Sequence, residues 1–381
     1  MRLWLCAAFA AATALSACGP TSTPSSVPSG DPLTLAGQFV VPVNPTAAPQ
    51  LRVGGLSGLA SIGNGRELLA LADDRDNPRV FRMAVSADAN AFRVDVERII
   101  YLHPAPAATL HLDPEGIAVT REGHMLITSE GVANAEARLP PTITEYSSDG
   151  QFIRQLRVRP RYSPTEHGQI TAGVRDNAGF EPLTMSPDYS RLFTGTELPL
   201  TQDGDAPTFA PGARSRLLEY AAAGGSYEPR REFVYEIEPL QRPSYGVRFA
   251  VVGLVELLSL GGDVLLSLER GFVESEDRKQ SMNRIRLFRI DLAGATDVSN
   301  RDSLLQAGNI VPVRKTLVLD LNSINGLAPP LTGLENFEGM TWGPPGPRGA
   351  RSLILVSDDN FSDRQVTAFL LLRPGRRSVL Q

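Results

Sequence analysis

Acidic side chains recur along this chain in a fixed relation to two short apolar runs. The first run of each unit begins Gly55-Leu56-Ser57-Gly58-Leu59, Asp113-Pro114-Glu115-Gly116-Ile117, Gly179-Phe180-Glu181-Pro182-Leu183, Leu254-Val255-Glu256-Leu257-Leu258 and Asn336-Phe337-Glu338-Gly339-Met340. After a polar or glycine turn, the second run ends in acid, at Asp73, Glu130, Glu197, Glu269 and Asp358. The spacing from first marker to second is 16, 15, 16, 13 and 20 residues, and the longest holds a Pro/Gly insertion, Gly343 to Gly349. Ser57 alone breaks the acidic pattern. Carboxylates gathered in one place repel one another by a few kcal/mol per pair at an effective dielectric near ~20. A bound cation, raised pKa values or basic partners relieve that repulsion. Hard oxygen ligands in a cage of loops suit calcium more than zinc. Basic partners are also at hand. Arg75, Arg270 and Arg364 each follow a second acid closely, and guanidinium forks suit phosphate or carboxylate.

The competing reading is architectural: an acid at a strand end accepts backbone N–H bonds from the next repeat. Other constellations are weaker. Ser57 lies in Gly55-Leu56-Ser57-Gly58-Leu59, which places the final glycine one residue too early for a nucleophile elbow. His103, His111, His124 and His167 have no metal-ligand spacing, and His111, two residues before Asp113, is the best of them for the acidic site. Asp358-Asp359-Asn360 puts three oxygen side chains in a row, either a ligand loop or a turn holding its own backbone.

The elements that position these acids follow from the repeat itself. Two further strand-like runs follow each pair: Thr142 to Tyr146 and Gln151 to Val158, Arg216 to Tyr220 and Arg231 to Ile237, Arg284 to Ile290 and Lys315 to Leu321. Ser148-Asp149-Gly150 reads as a hairpin turn. Four short strands per unit predict propeller blades. The last unit has only three before the chain ends, the third being Gln365 to Leu372, and the segment from Gln38 to Val43 resembles the missing fourth. An N-terminal strand completing the C-terminal blade removes a free sheet edge. The expectation is an all-β chain, a single β-propeller of five four-stranded blades over residues 33–381. Six blades is the main alternative count, because the units lie 58 to 82 residues apart, and an open β-sandwich is the alternative architecture. Each blade then returns its second acid to the level of its first, at one mouth near the axis.

The chain opens with Met1-Arg2 and an uncharged apolar run to Leu15, then Leu15-Ser16-Ala17-Cys18. A run of this length is too short for a spanning helix and reads as a signal peptide over residues 1–17. The tetrapeptide looks like a lipobox, with Cys18 as the lipidated residue, and residues 18–32 form a Ser/Thr/Pro-rich tether. Gly19 in place of Asp favours the outer membrane in a Gram-negative host. Cys6 is the other cysteine, so the mature domain is held by its core and not by disulfides. Lys and Arg number 37 against 42 Asp and Glu, and loss of residues 1–17 removes only Arg2, leaving a net charge of −6. That balance argues against nucleic acid as a partner. A lipid-anchored monomer acting on a small ligand is the expected state.

With these residues in view, the chain resembles the phytase-like domain family described as having esterase-like activity of phytase. The segments that carry the resemblance are Gly55 to Leu59, Asp113 to Ile117, Ser129-Glu130-Gly131, Gly179-Phe180-Glu181, Glu269-Arg270-Gly271, Phe337-Glu338-Gly339 and Ser357 to Phe361. It runs from about Leu51 to Leu372. Pro182 and Leu257 depart from the Gly of the other units. The resemblance implies a propeller in the cell envelope and hydrolysis of phosphoric or other esters. Combined with the acid pairs, it assigns Glu115, Glu181 and Glu338 to catalysis. Asp73, Glu130, Glu197, Glu256, Glu269 and Asp358 are assigned to calcium, and Arg75, Arg270 and Arg364 to a phosphate ester. The alternative is a non-catalytic lipoprotein propeller that binds a ligand or protein in the envelope. Replacing Cys18 by Ser is expected to move the chain from the detergent phase to the aqueous phase in a Triton X-114 partition and to abolish labelling by a palmitate analogue.

Overall fold

The computed structural model describes residues 33–42, 51–88, 91–103, 112–305, 308–331 and 333–375. The signal peptide, Cys18, the tether and His111 lie outside the described residues. The apolar runs become strands because large and branched side chains fit a pleated, half-buried surface. Strand β1 (Leu33–Val40) comes first in the chain. One four-stranded sheet holds β2 (Leu56–Ile62), β3 (Glu67–Ala72), β4 (Arg79–Ala87) and β5 (Phe92–Tyr101). The next holds β6 (Pro114–Val119) and β7 (Met125–Ser129), then, past the short hairpin of β8 (Val132–Ala133) and β9 (Arg138–Leu139), β10 (Thr142–Tyr146) and β11 (Phe152–Gln155). The third is β12 (Phe180–Met185), β13 (Arg191–Thr196), β14 (Ala213–Ala223) and β15 (Ser226–Ile237). The fourth is β16 (Val247–Gly261), β17 (Val264–Ser275), β18 (Ser281–Asp291) and β19 (Arg314–Asp320). The fifth is β20 (Asn336–Gly343), β21 (Ser352–Asp358) and β22 (Ala368–Pro374), closed by β1. The described residues thus form a five-bladed propeller, and its ring closes through the antiparallel pairing of Leu33–Val40 with Ala368–Pro374. The closing strand starts earlier than the segment read from Gln38 to Val43. Leu33 is part of the core between the fourth and fifth blades, and Leu35 packs against it, which pulls the register toward the N-terminus.

Core clusters fill the gaps between successive blades. One joins Leu69 and Leu71 to Ile117 and Ile127, the next Leu126 and Ile143 to Leu183 and Leu192. A third joins Phe193 and Phe233 to Leu257 and Phe288, a fourth Leu266 and Leu287 to Phe337 and Leu353. The last joins Ile354 and Phe369 to Leu59 and Phe81. Each such side chain contributes about 1.5–3 kcal/mol by leaving water, so the ring is held by sheet-on-sheet packing around its whole circumference.

Every inner strand shifts register at the same place, between Leu56 and Gly58, Pro114 and Ile117, Phe180 and Leu183, Leu254 and Glu256, and Phe337 and Gly339. Such a bulge re-aims one side chain and bends the strand. Immediately after the bulge the blades approach closely. A Cβ at Gly116 would lie 2.4 Å from the Glu181 carbonyl oxygen and 2.8 Å from the Leu183 nitrogen. Backbone on the far side cannot move aside, so glycine is required there. Gly116→Ala is expected to destabilise the domain by about 1–3 kcal/mol through overpacking, read as a lower urea midpoint at unchanged m-value.

Candidate acidic site at the propeller mouth

The bulges and the ends of the second strands meet at one end of the axis. Ser57, Glu115, Glu181, Val255 and Glu338 occupy the bulge position of the five blades in turn. Asp73, Glu130 and Glu197 follow the last residue of their second strands, and their N–H groups bond back to the carbonyls of Gly55, Asp113 and Gly179. Asp358 pairs with Asn336 at the corresponding place. In the fourth blade the residue there is Arg270, paired with Gly253. That blade therefore brings Val255 and Arg270 where its neighbours bring acids.

Two expected mouth residues go elsewhere. Glu269 pairs with Leu254 one step before Arg270, and successive side chains of a strand face opposite sides. It is fully buried between blades, accepting a hydrogen bond from the Tyr235 hydroxyl at 3.0 Å and lying against Lys315 and Arg286. Glu256 stands one residue past the bulge, in the position held by Gly58, Gly116 and Gly339 elsewhere. Its carboxylate lies on the axis, where it accepts from the Leu257 N–H at 2.9 Å and the Met340 N–H at 3.4 Å, with the Leu183 and Leu59 N–H groups also aimed at it. It closes the channel beneath the mouth and takes the architectural role.

The remaining acids are crowded. One oxygen each of Asp73, Asp113 and Glu115 lie within 4.8 Å of one another, and so do oxygens of Glu115, Glu130 and Glu181. Glu115 belongs to both groups. Asp113 was not among the expected ligands, and Arg75 grips it with Nε and Nη2 at 2.6 Å each while also reaching Asn177 at 2.8 Å. Arg270 donates to Glu338 at 2.5 Å and lies 3.8 Å from Glu197. Glu130 accepts the Gly179 N–H on one oxygen at 2.9 Å, while its other oxygen and Asp73 Oδ1 are buried with no hydrogen-bond partner. Asp359 does for the Gly55 N–H, at 2.7 Å, what Glu130 does for Gly179, and Asp358 turns back on the Asn360 N–H at 2.7 Å. Ser57 donates to the Pro114 carbonyl at 3.1 Å, a contact between blades. Arg364 is exposed in the loop before β22, and His124 bonds Glu145 on the second blade.

The match to a family model now completes this geometry. The model described as "Phytase-like: Esterase-like activity of phytase" covers residues 51–361. The chain belongs to this phytase-like family. An uncharacterised secreted protein of Arthroderma benhamiae is 21% identical over 242 residues, which is 57% of this chain and 46% of that protein, so the match spans about half the relative's length. Among solved structures, an endo-arabinase of Bacteroides thetaiotaomicron aligns over 86% of this chain and 96% of its own, at 11% identity and a TM-score of 0.43. A gluconolactonase of Xanthomonas campestris aligns over 92% and 99%, at 12% identity and a TM-score of 0.33. Likenesses this distant say nothing of chemistry here. Family membership supports a hydrolase-type function. Among the described residues no helix is long and apolar enough to cross a membrane.

Burial is the first cause of the unusual proton affinity at the phytase-like mouth, and like charge is the second. Burial, then the neighbouring Asp113 carboxylate, pushes Asp73 up to about 8. Burial pushes Glu197 to about 7 against the pull of Arg270. Glu115, Glu130, Glu181 and Asp358 are all held well above the ordinary carboxylate range, by burial first and by their acidic neighbours second. The folded state thus keeps protons that an unfolded chain releases above a pH of about 4, so stability falls as pH rises from there through the raised values. In chelator, the melting temperature is expected to fall continuously between pH 5 and pH 8.5. Glu130→Gln, which removes the orphaned charge, should flatten that fall.

Proposed function

We propose that the phytase-like mouth is a calcium-dependent hydrolytic site for small phosphoric esters, carried on a lipoprotein anchored through Cys18 in the outer membrane. The observation behind this reading is the pair of orphaned, buried oxygens, Glu130 Oε2 and Asp73 Oδ1, beside two carboxylate groups that share Glu115. A buried carboxylate oxygen without a donor is costly unless protonated or bound to a cation. Every side chain in both groups offers hard oxygen, the donor set that calcium prefers. Asp73, Asp113, Glu115 and Glu130 would hold the ion, with Glu197 and Asp358 at the margin and Glu181 beside it. Calcium bound there would polarise a phosphoryl oxygen and acidify a coordinated water.

The chain's own residues supply the rest. Arg270, clamped by Glu338, presents a fixed guanidinium at the ring, and Arg75, held on Asp113 and about half exposed, presents another at the rim. Both suit a phosphate oxygen. Glu181, kept protonated by burial beside Glu130 and Glu197, is suited to give its proton to the leaving alcohol. Glu115, shared by the two groups, would lose its proton to a bound cation and is then suited to accept one from the attacking water. Glu338 holds Arg270 at 2.5 Å, with Glu197 on its other side at 3.8 Å. Arg364, exposed in its loop, remains a candidate for a longer substrate.

Calcium titrated into chelated protein is expected to raise the melting temperature, by about 2.7 kcal/mol of added stability at a hundred times the dissociation constant. Turnover of p-nitrophenyl phosphate should require it. Glu130→Gln should abolish the calcium shift. Glu181→Gln should keep the shift and lose turnover by about 100-fold or more. A full calcium shift with no turnover of any phosphoric ester would mean a structural ion and a binding propeller, and the hydrolase reading would fail.

A further inference from the structure

The fourth blade is taller than its neighbours. Its strands β16, β17 and β18 run for 15, 12 and 11 residues, whereas the inner strands of the other blades have 7, 6, 6 and 8. The excess lies on the mouth side. β16 starts at Val247 and reaches the level of Arg270 only at Gly253, and β17 continues past Arg270 to Ser275. Phe249, Val251, Val252, Phe272 and Val273 are the aromatic and branched residues of these added segments, types that favour extended pairing. Three strands therefore rise as a wall beyond the ring of acids.

The two faces of this wall differ. Leu266 and Leu268 turn into the core between the fourth and fifth blades, and Leu265 and Val273 into the core between the third and fourth. Alternation then puts Arg270, Phe272 and Glu274 on the fifth-blade face. Opposed residues of an antiparallel pair share a face, so Gly253, Val251 and Phe249 join them. The contact of Arg270 with Glu338 of the fifth blade agrees with this assignment. Phe272 stands two residues beyond Arg270, about 6.5 Å further out along the strand. The Phe249 and Phe272 ring centroids lie 6.3 Å apart, with the planes inclined at 48°. Phe249 is 48% exposed and Val251 and Phe272 are half-buried. Among the described residues none of the three belongs to a core between blades. Polar side chains on the same face are engaged within the fold: Glu274 pairs with Arg248, and Asn283 donates to the Leu334 carbonyl at 3.1 Å. Beside the Arg270 guanidinium the face offers two rings and a valine.

We propose that this face is the leaving-group subsite of the mouth, and that the substrates are phosphoric monoesters of aromatic alcohols, with the phosphate at Arg270 and the ring against Phe249 and Phe272. The inference rests on the reading of the mouth as a phosphate-ester site. Continuity decides the occupant: the guanidinium and the rings share one strand face, so a group esterified to a phosphate at Arg270 lies beside this wall. An apolar ring gains by covering the exposed rings, whereas a polyol would give up water for apolar surface.

The experiment is calorimetric titration of the intact, calcium-loaded chain with two phosphonates that cannot be hydrolysed, benzylphosphonate and 3,4-dihydroxybutylphosphonate. Benzylphosphonate is expected to bind more tightly by about tenfold, the order of one aromatic contact plus the apolar area it covers. Phe249→Ser, at a half-exposed position, should bring benzylphosphonate down toward the polar probe while leaving the polar probe and the melting temperature unchanged. Phe272→Ser should do the same. Equal affinity of the parent for the two probes would overturn the subsite and leave the phosphate reading of the mouth intact. If sedimentation then showed a dimer that Phe249→Ser dissolves, the face would belong to a second copy of the chain. Binding of neither probe would overturn the phosphate reading and the subsite with it. A preference for benzylphosphonate that survives either substitution would overturn the subsite alone. Should Phe272→Ser fold poorly, Phe249→Ser and the ratio of the two probes in the parent decide it.

Discussion

Five sheet edges converge on one axis, and the N–H groups that the inner strands point inward must find an acceptor. A backbone donor buried without one costs about as much as a lost hydrogen bond. Glu256 answers that constraint, its carboxylate drawing on strands of the first, third, fourth and fifth blades. In the first, second and fifth blades the same position is a glycine pressed against the next blade or its own sheet, and in the third it is Pro182. Gly58, Gly116 and Gly339 leave the room that Glu256 fills. The ring closes through the pairing of β1 with β22, and the Glu256 carboxylate holds four of its five inner strands together at the axis.

Above it, the mouth is a problem of like charge in a dry place. Three blades contribute Asp73, Asp113, Glu115, Glu130, Glu181 and Glu197, and the fourth contributes Arg270 in place of a second acid. The site is thereby asymmetric. Glu338 and Glu197 have a guanidinium close by, whereas Glu130 and Asp73 each keep an oxygen without a donor. Protons or a cation must complete that half of the ring, and the two alternatives exchange for one another as pH rises. Below Glu256 the balance is inverted: among the described residues the channel there is lined by no acid, and its charged liners are Arg121 and Arg351. One fold therefore carries two chemically opposite ends on a common axis.

The sequence by itself determined the blades. The acid-ended strand pairs, the turns between them and the unit of three strands left at the C-terminus pointed to a closed ring of four-stranded sheets, because a strand period and its turns are written locally. It also determined which acids recur, and most of these meet at one mouth. It did not determine the fate of the fourth unit. Glu256 and Glu269 matched the acidic pattern by type, yet their spacing of 13 is the shortest of the five. Val255 and Arg270, 15 residues apart, are the pair in register. A bulge sets which side chain faces the axis, a shift of one residue turns every side chain to the other face, and only the pairing of β16 with β17 fixes that register. Asp113 was legible as a motif residue but not as a mouth carboxylate, since its part depends on Arg75 and Asp73 arriving from another blade. The cavity at the far end of the channel was not legible, because Leu59, Ile117, Leu183, Leu257 and Met340 recur at one place in the repeat and a repeat position does not say that a space opens beside it.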